Sequence, residues 1–277
     1  MMMNTGTGLL GLLGDPVAHS VSPAMHNAAI DRLGLDYVYL AFRVTPAGLA
    51  GALNGVRALG IRGVNLTIPH KTAALGLLDE VDEAARRVGA VNTVVNDAGR
   101  LTGYNTDIAG FLAALKKHGF APAGQKAVVL GAGGAARAVV FALRDAGAEV
   151  VIANRSIEKA DTLAADTGAT AVSTTETELQ KALDGAGLLV NATPVGLFPD
   201  TGVTPVPGSL LHPGLTVFDT IYRPRRTRLL TEAEAAGCRV IDGLDMLVEQ
   251  GATAFELWTG QSPDRAVMLR SAAAAMS

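Results

Sequence analysis

The chain has 277 residues, 49% of them hydrophobic, 32 of them glycine and only 4% aromatic, a mixture that suits two domains whose helices pack closely on sheets. Its formal net charge of −3, with no long basic run, argues against nucleic acid or an anionic membrane surface as the main partner. The single cysteine, Cys238, excludes an intrachain disulfide and a thiolate metal cluster, and the five histidines lack ligand spacing, so no metal site is expected.

The N-terminal stretch carries no basic run ahead of its apolar residues and is far too short to span a bilayer, nor does any later stretch reach that length. A cytoplasmic protein with no membrane segment, monomeric or homodimeric, is the expectation. Strands are predicted at residues 8–13, 37–42 and 63–68, and a short pair at 93–96 and 101–103 joined by the turn residues Asp97-Ala98-Gly99-Arg100. A helix over 23–33 has Ser22 as its predicted N-cap and Pro23 at its first position. A further helix over 108–118 ends at Gly119. The apolar strand 127–130 then opens a new strand–helix series, with strands at 149–153, 188–190, 216–218 and 239–241, which argues a parallel sheet covered on both faces. After Asp242-Gly243 the chain reads as helical, the last helix beginning at Ser262-Pro263.

The strand at 127–130 runs directly into Gly131-Ala132-Gly133-Gly134-Ala135-Ala136, which opens a helix. That context turns a weak glycine pattern into a dinucleotide fingerprint: a tight turn, a backbone bare enough to approach a pyrophosphate, and free N–H groups at a helix start. An NAD site places an acid at the end of the second strand to hold the ribose hydroxyls. Here that strand ends in Ala153-Asn154-Arg155-Ser156, with Lys159 one turn later. Arginine there fits a 2′-phosphate, so NADP is the expected cofactor.

Ser20 and Ser22 flank Val21 before the 23–33 helix; in an extended segment their hydroxyls share a side beside the helix's positive end, a corner suited to a carboxylate. Asn65 and Thr67 alternate on the 63–68 strand and face one way, and His70-Lys71 follow at its C-terminal edge, where open α/β sheets bind ligands. Asn92 lies just past Gly89-Ala90-Val91. Asp107 stands at a helix start, a position that taken alone reads as a cap.

The strings His19-Ser20-Val21-Ser22-Pro23 with Met25-His26-Asn27, Asn65-Leu66-Thr67-Ile68-Pro69-His70-Lys71, Gly89-Ala90-Val91-Asn92-Thr93, Gly103-Tyr104-Asn105-Thr106-Asp107, Asp219-Thr220-Ile221-Tyr222-Arg223-Pro224 and Asp242-Gly243-Leu244-Asp245-Met246 through Gln250 resemble those of the shikimate dehydrogenase family, in order and over almost the whole chain. The resemblance implies a two-domain α/β fold: a discontinuous substrate domain, residues 1–107 and 244–277, and an inserted Rossmann-type NADP-binding domain, residues 108–243. It implies reversible NADPH-dependent reduction of 3-dehydroshikimate to shikimate, a step toward chorismate and the aromatic amino acids. By position, Ser20 and Ser22 would hold the substrate carboxylate, helped by Tyr222. Asn65, Thr67, Lys71, Asn92, Asp107 and Gln250 would meet the ring hydroxyls. Lys71 and Asp107 form the implied catalytic pair, with proton transfer by Lys71 or by a relay through both. Thr193, Thr220, Gly243 and Met246 would lie beside the nicotinamide. Ser156 stands where the family often has threonine and Pro194 where it often has serine. Serine at position 22 resembles the shikimate-specific members, and a paralogue acting on quinate or an aminated shikimate, or a non-catalytic shikimate-binding regulator, are the competing readings.

Overall fold

A computed structural model describes residues 3–276. They divide into two compact units, one made of residues up to Gly110 and from Val248 onward, the other of Phe111–Leu247. The chain passes between the units inside two continuous helices, Asp107–Lys117 and Leu244–Thr259.

The first unit is built on strands Gly8–Gly14 (β1), Tyr37–Arg43 (β2), Gly63–Leu66 (β3), Glu80–Val81 (β4), Thr93–Asp97 (β5) and Arg100–Tyr104 (β6). Their order is β2-β1-β3-β5-β6-β4. Strands β1, β2 and β3 are parallel, joined through helices, whereas β5 runs antiparallel to both β3 and β6, and only the two residues Ala98 and Gly99 join β5 to β6. Both turn residues have positive φ, 50° and 90°, as a tight hairpin requires. One apolar layer gathers Leu49, Leu53 and Val56 from a helix against Val64, Leu66, Val94 and Leu101 of the sheet. Another holds the stacked rings of His26 and Tyr39, 4.3 Å apart, beside Trp258. Trp258 Nε1 donates to the Val94 carbonyl at 3.0 Å, which fixes the long C-terminal helix on the sheet.

The predicted strand over 63–68 ends two residues early, at Leu66. Beyond it the chain bends: the Thr67 N–H still bonds the Leu13 carbonyl, but its carbonyl accepts from the His70 N–H at 2.8 Å and closes a turn. Ser22 is not the cap of the first helix. Val21 holds that place in a helical conformation, and it is the Ser20 hydroxyl that accepts from the Ser22 N–H at 3.2 Å. The segment is therefore a turn, not an extended run. The last helix, Arg265–Ala274, starts at Asp264, whose carboxylate accepts from the N–H groups of Ala266 and Val267, while the Ser262 hydroxyl donates to Glu256.

The second unit has strands Lys126–Leu130 (β7), Glu149–Ala153 (β8), Thr170–Val172 (β9), Leu188–Asn191 (β10), Thr216–Asp219 (β11) and Arg239–Ile241 (β12). All neighbours are parallel, in the order β12-β11-β10-β7-β8-β9. Counted within this unit the order is 6-5-4-1-2-3, the doubly wound arrangement of Rossmann-type domains. The order reverses between β7 and β10, and in such sheets ligands bind outside the carboxyl ends of the strands at that crevice. The central strands are buried on both faces, with Val128, Leu189 and Val217 in one cluster and Phe218 edge-on to Phe111 elsewhere, ring centroids 5.0 Å apart. Their nearly continuous apolar runs follow from that double burial.

Candidate active site

In the first unit, Lys71 and Asp107 meet. Lys71 Nζ donates to Asp107 Oδ2 at 2.5 Å, and the side chains are 17% and 5% exposed. Lys71 is placed by the turn after β3 and pinned through its carbonyl, which accepts from the Val91 N–H at 2.7 Å. Asp107 opens its helix but does not cap it. The side chain of Asn105 accepts from the N–H groups of Asp107 and Ile108 instead, at 3.1 and 3.4 Å. With the cap supplied from two residues upstream, the Asp107 carboxylate is released to face Lys71.

The other oxygen, Oδ1, accepts from Asn92 Nδ2 at 2.9 Å. Asn92, 2% exposed, is the hub of the cluster: the same amide nitrogen reaches Thr106 Oγ1 and Gln250 Oε1, and its Oδ1 accepts from the Thr106 N–H at 2.8 Å. Thr106 and Thr93 join by their hydroxyls. Asn65 sits one strand over with its amide engaged by protein groups: Oδ1 accepts from the Tyr39 hydroxyl at 2.8 Å, while Nδ2 donates to the Asn92 carbonyl and Thr93 Oγ1. Among the described residues, Asp107 is the one hydrogen-bond partner of the Lys71 ammonium, so a group with three donors keeps two unclaimed. Thr67 is partly buried at the end of β3, and the hydroxyl of the buried Ser22 has no partner among the described residues. Thr93, Asn105, Thr106 and Tyr39 belong to the cluster although the sequence reading assigns them no role. An asparagine two residues ahead of a helix start is the signal that could have singled out Asn105.

In the second unit the glycine-rich loop follows β7 at the reversal of strand order. Gly131 has φ +108°, and a Cβ there would come within 3.0 Å of the Ala192 carbonyl oxygen and 3.1 Å of Thr193 Cγ2. Only glycine fits such an approach. At Gly133, the residue before the helix Gly134–Asp145, a Cβ would touch no protein atom. Bareness at Gly133 is thus not demanded by the protein's own packing, and it fits close approach of a pyrophosphate to the helix start. Ala132, Gly134 and Ala135 complete the loop and first turn.

At the end of β8, Asn154 Nδ2 donates to the Ser156 carbonyl at 2.8 Å and shapes the turn. Arg155 and Lys159 are exposed, and neither has an ion-pair or hydrogen-bond partner among the described residues. Most arginines of the chain are engaged by a carboxylate or carbonyl, Arg57, Arg62 and Arg265 among them. Two unclaimed cations beside a glycine loop are the donor set a 2′-phosphate requires. The residues present therefore fit NADP.

Thr193 and Thr220 follow β10 and β11 at the same carboxyl edge, Thr193 donating to Asn191 Oδ1 at 2.7 Å and Thr220 to the Asn191 carbonyl at 2.9 Å. Gly243 approaches Thr220 so closely that a Cβ would lie 2.3 Å from its carbonyl oxygen. Met246 is buried in the helix that follows. Tyr222, partly buried, comes three residues after the end of β11 and belongs to this unit, not to the unit that holds Ser20 and Ser22.

Residues 12–94 match the family described as "Shikimate dehydrogenase substrate binding domain", residues 113–196 "Shikimate / quinate 5-dehydrogenase" and residues 243–272 "Shikimate 5'-dehydrogenase C-terminal domain". A "Shikimate dehydrogenase (NADP(+))" of Moorella thermoacetica is 49% identical over 98% of this chain and 94% of its own length. The chain belongs to the shikimate dehydrogenase family. The shikimate 5-dehydrogenase of Thermus thermophilus, solved with NADP(H) and shikimate, superposes with a TM-score of 0.90 at 50% identity, covering 97% of this chain and 99% of that one. A 5-ketofructose reductase of a Gluconobacter species shares the fold with a TM-score of 0.83 at 39% identity, covering 98% and 99%. Membership in the family thus coexists with more than one substrate among its relatives. No helix among the described residues is long and apolar enough to cross a membrane.

Proposed function

We propose that this chain is an NADP-dependent shikimate dehydrogenase that interconverts 3-dehydroshikimate and shikimate, working in the cytoplasm. The observation that carries the reading is the Lys71–Asp107 pair, its carboxylate buried and organised by Asn92, with two donors of the Lys71 ammonium unclaimed. NADP, when bound, supplies the hydride chemistry. In this reading a substrate domain of residues 1–107 with 244–277 binds the polyol acid, and residues 108–243 bind the cofactor. Lys71 holds the reacting oxygen of the substrate and gives it a proton in reduction, or takes one in oxidation, while Asp107 keeps the ammonium in place. Gln250, Thr67 and Asn65 surround the ring hydroxyls, and Ser20, Ser22 and Tyr222 hold the carboxylate. Gly131 to Ala135 hold the pyrophosphate, with Asn154, Arg155, Ser156 and Lys159 on the adenosine 2′-phosphate. Thr193, Thr220, Gly243 and Met246 shape the nicotinamide side.

The similarity to a 5-ketofructose reductase makes a neutral sugar the second reading. Steady-state assays following NADPH, with shikimate, quinate, an aminated shikimate and 5-ketofructose, decide between them. Turnover of shikimate with NADP⁺ at the highest kcat/KM is the expected result. Preference for a substrate without a carboxylate would overturn the assignment.

A further inference from the structure

One buried carboxylate of the second unit has no part in the site described so far. Asp219, the last residue of β11, has no exposed surface. Its partners are neutral donors: Oδ1 accepts from the Asn191 amide at 3.0 Å and the Ile221 N–H at 3.1 Å, and Oδ2 from the Thr227 hydroxyl at 2.7 Å. Thr227 in turn caps the helix Arg228–Ala235 by accepting from the Leu230 N–H. The nearby charge acting on Asp219 is that of Asp242, itself paired with Arg225 at 2.7 Å.

What Asp219 holds is Asn191, which is also fully buried. Asn191 turns its Nδ2 toward Asp219 and its Oδ1 toward Thr193, accepting both the Thr193 N–H at 3.1 Å and its hydroxyl at 2.7 Å. The Asn191 carbonyl accepts the Thr220 N–H at 3.0 Å and its hydroxyl at 2.9 Å. Asn191 Nδ2 also donates to the Val195 carbonyl at 3.2 Å; an ionised carboxylate, which can only accept, adds a charged acceptor on the same side and holds the Asn191 amide in that facing. A protonated or amidated group at the same place still accepts through Oδ1 but without the charge, so it holds Asn191 less firmly. We propose that Asp219 is a positioning residue for the cofactor: as a charged acceptor it holds Asn191 in place and, through it, the Thr193 and Thr220 edge. The inference rests on the reading of those threonines as cofactor-side residues.

Burial pushes the Asp219 carboxyl up to about 6, against the hydrogen bonds from Thr227, Ile221 and Asn191 that lower it. A raised value in the folded state means that the ionised form costs stability as pH rises through it. A side chain serving packing alone would do as well neutral; the charge serves the hold on Asn191.

The test is calorimetric titration of the full-length protein with NADP⁺ between pH 5 and 8. At pH 8, Asp219→Asn is expected to bind roughly tenfold more weakly than the unmodified chain, in line with loss of a charge-assisted hydrogen bond. Its affinity for shikimate and its melting temperature should not fall. The ratio of the two affinities should close toward one at pH 5, where Asp219 is protonated; taking the ratio cancels the titration of the ligand's own phosphate. Thr227→Val, which removes one donor to the carboxylate, should move the closing point to higher pH, and Thr227→Ser should restore it. Equal NADP⁺ affinity of Asp219→Asn and the parent across the range, or an unmoved profile in Thr227→Val, overturns the proposal. Thr193→Ala and Thr220→Ala separate the two ideas. If they weaken NADP⁺ binding while Asp219→Asn does not, only the role of Asp219 fails. If neither weakens it, the assignment of the threonines fails and the inference with it.

Discussion

Each unit centres on a buried aspartate, and the two are solved in opposite ways. Asp107 is met by a cation, Lys71, in a place that keeps part of the lysine open. Asp219 is met by an amide, a backbone N–H and a hydroxyl, with no opening at all. A carboxylate paired with an ammonium is arranged so that a proton can move at the ammonium's free side. A carboxylate surrounded by neutral donors offsets desolvation with hydrogen bonds alone, and what it yields is orientation of the groups around it. In the proposed reading an aspartate holds a proton-moving lysine in one unit and an amide in the other, and the difference lies in what the neighbouring elements bring.

The largest expected effect breaks the first half of that contrast. Lys71→Ala should lower kcat by about 10²–10⁴, the range for loss of a general acid–base group. The KM for shikimate should move much less. Asp107→Asn should also lose mainly kcat, and the double variant should lose less than the two single losses multiplied, because the pair acts as a unit. A Lys71→Ala enzyme with kcat intact and KM raised would make Lys71 a binding residue.

Next in size is the cofactor edge. Arg155→Ala should lower kcat/KM for NADP⁺ by roughly one to two decades, from loss of about 1.5–3 kcal/mol of charge-assisted bonding to phosphate, and leave NAD⁺ kinetics nearly unchanged. Equal losses with both nucleotides would place Arg155 elsewhere than at a 2′-phosphate.

A third prediction sharpens the comparison by pH. His26 is fully buried with neither ring nitrogen bonded among the described residues, and burial lowers its value to about 3. The folded chain thus keeps it neutral while the unfolded chain protonates it below about 6.5. Its contribution to stability is complete above that value and is lost as pH falls toward 3, at up to about 1.4 kcal/mol per pH unit. Asp219 acts in the reverse sense, its contribution fullest below about 4 and lost as pH rises through 6. Chemical denaturation between pH 4 and 6.5 should show a flatter acid limb in His26→Phe than in the parent. An unchanged slope would mean that His26 is already protonated in the fold or solvated there.

The smallest effect concerns the helix start that frees Asp107. Asn105→Ala should cost about 1 kcal/mol of stability, as cap removal does. It should also reduce kcat, because Asp107 then competes for its own helix N–H groups. Retention of both in Asn105→Asp, and not in the similarly sized apolar Asn105→Leu, would separate capping from packing.

Much of this protein is legible without its structure. The strand-to-helix glycine loop, the alternation of apolar strands with helices, and the lack of an acid after β8 all follow from local rules: a tight turn needs glycine, a doubly buried strand needs an apolar run, and a 2′-phosphate needs a cation. Those rules act over a few residues, so a short window contains them. The Lys71–Asp107 meeting spans 36 residues and is foreseen only through family likeness; nothing in the spacing brings the two together. Ser22 and Asp107 both read as helix caps, and both are relieved of that work by a neighbour two residues upstream, Ser20 and Asn105, through side-chain geometry that the residue types alone leave open. Asp219 reads in the sequence as one more acid at the end of an apolar strand. Its burial, its neutral partners and its hold on Asn191 exist because β10 and β11 lie side by side in a sheet, and long-range pairing of that kind is decided by the packing of the whole unit.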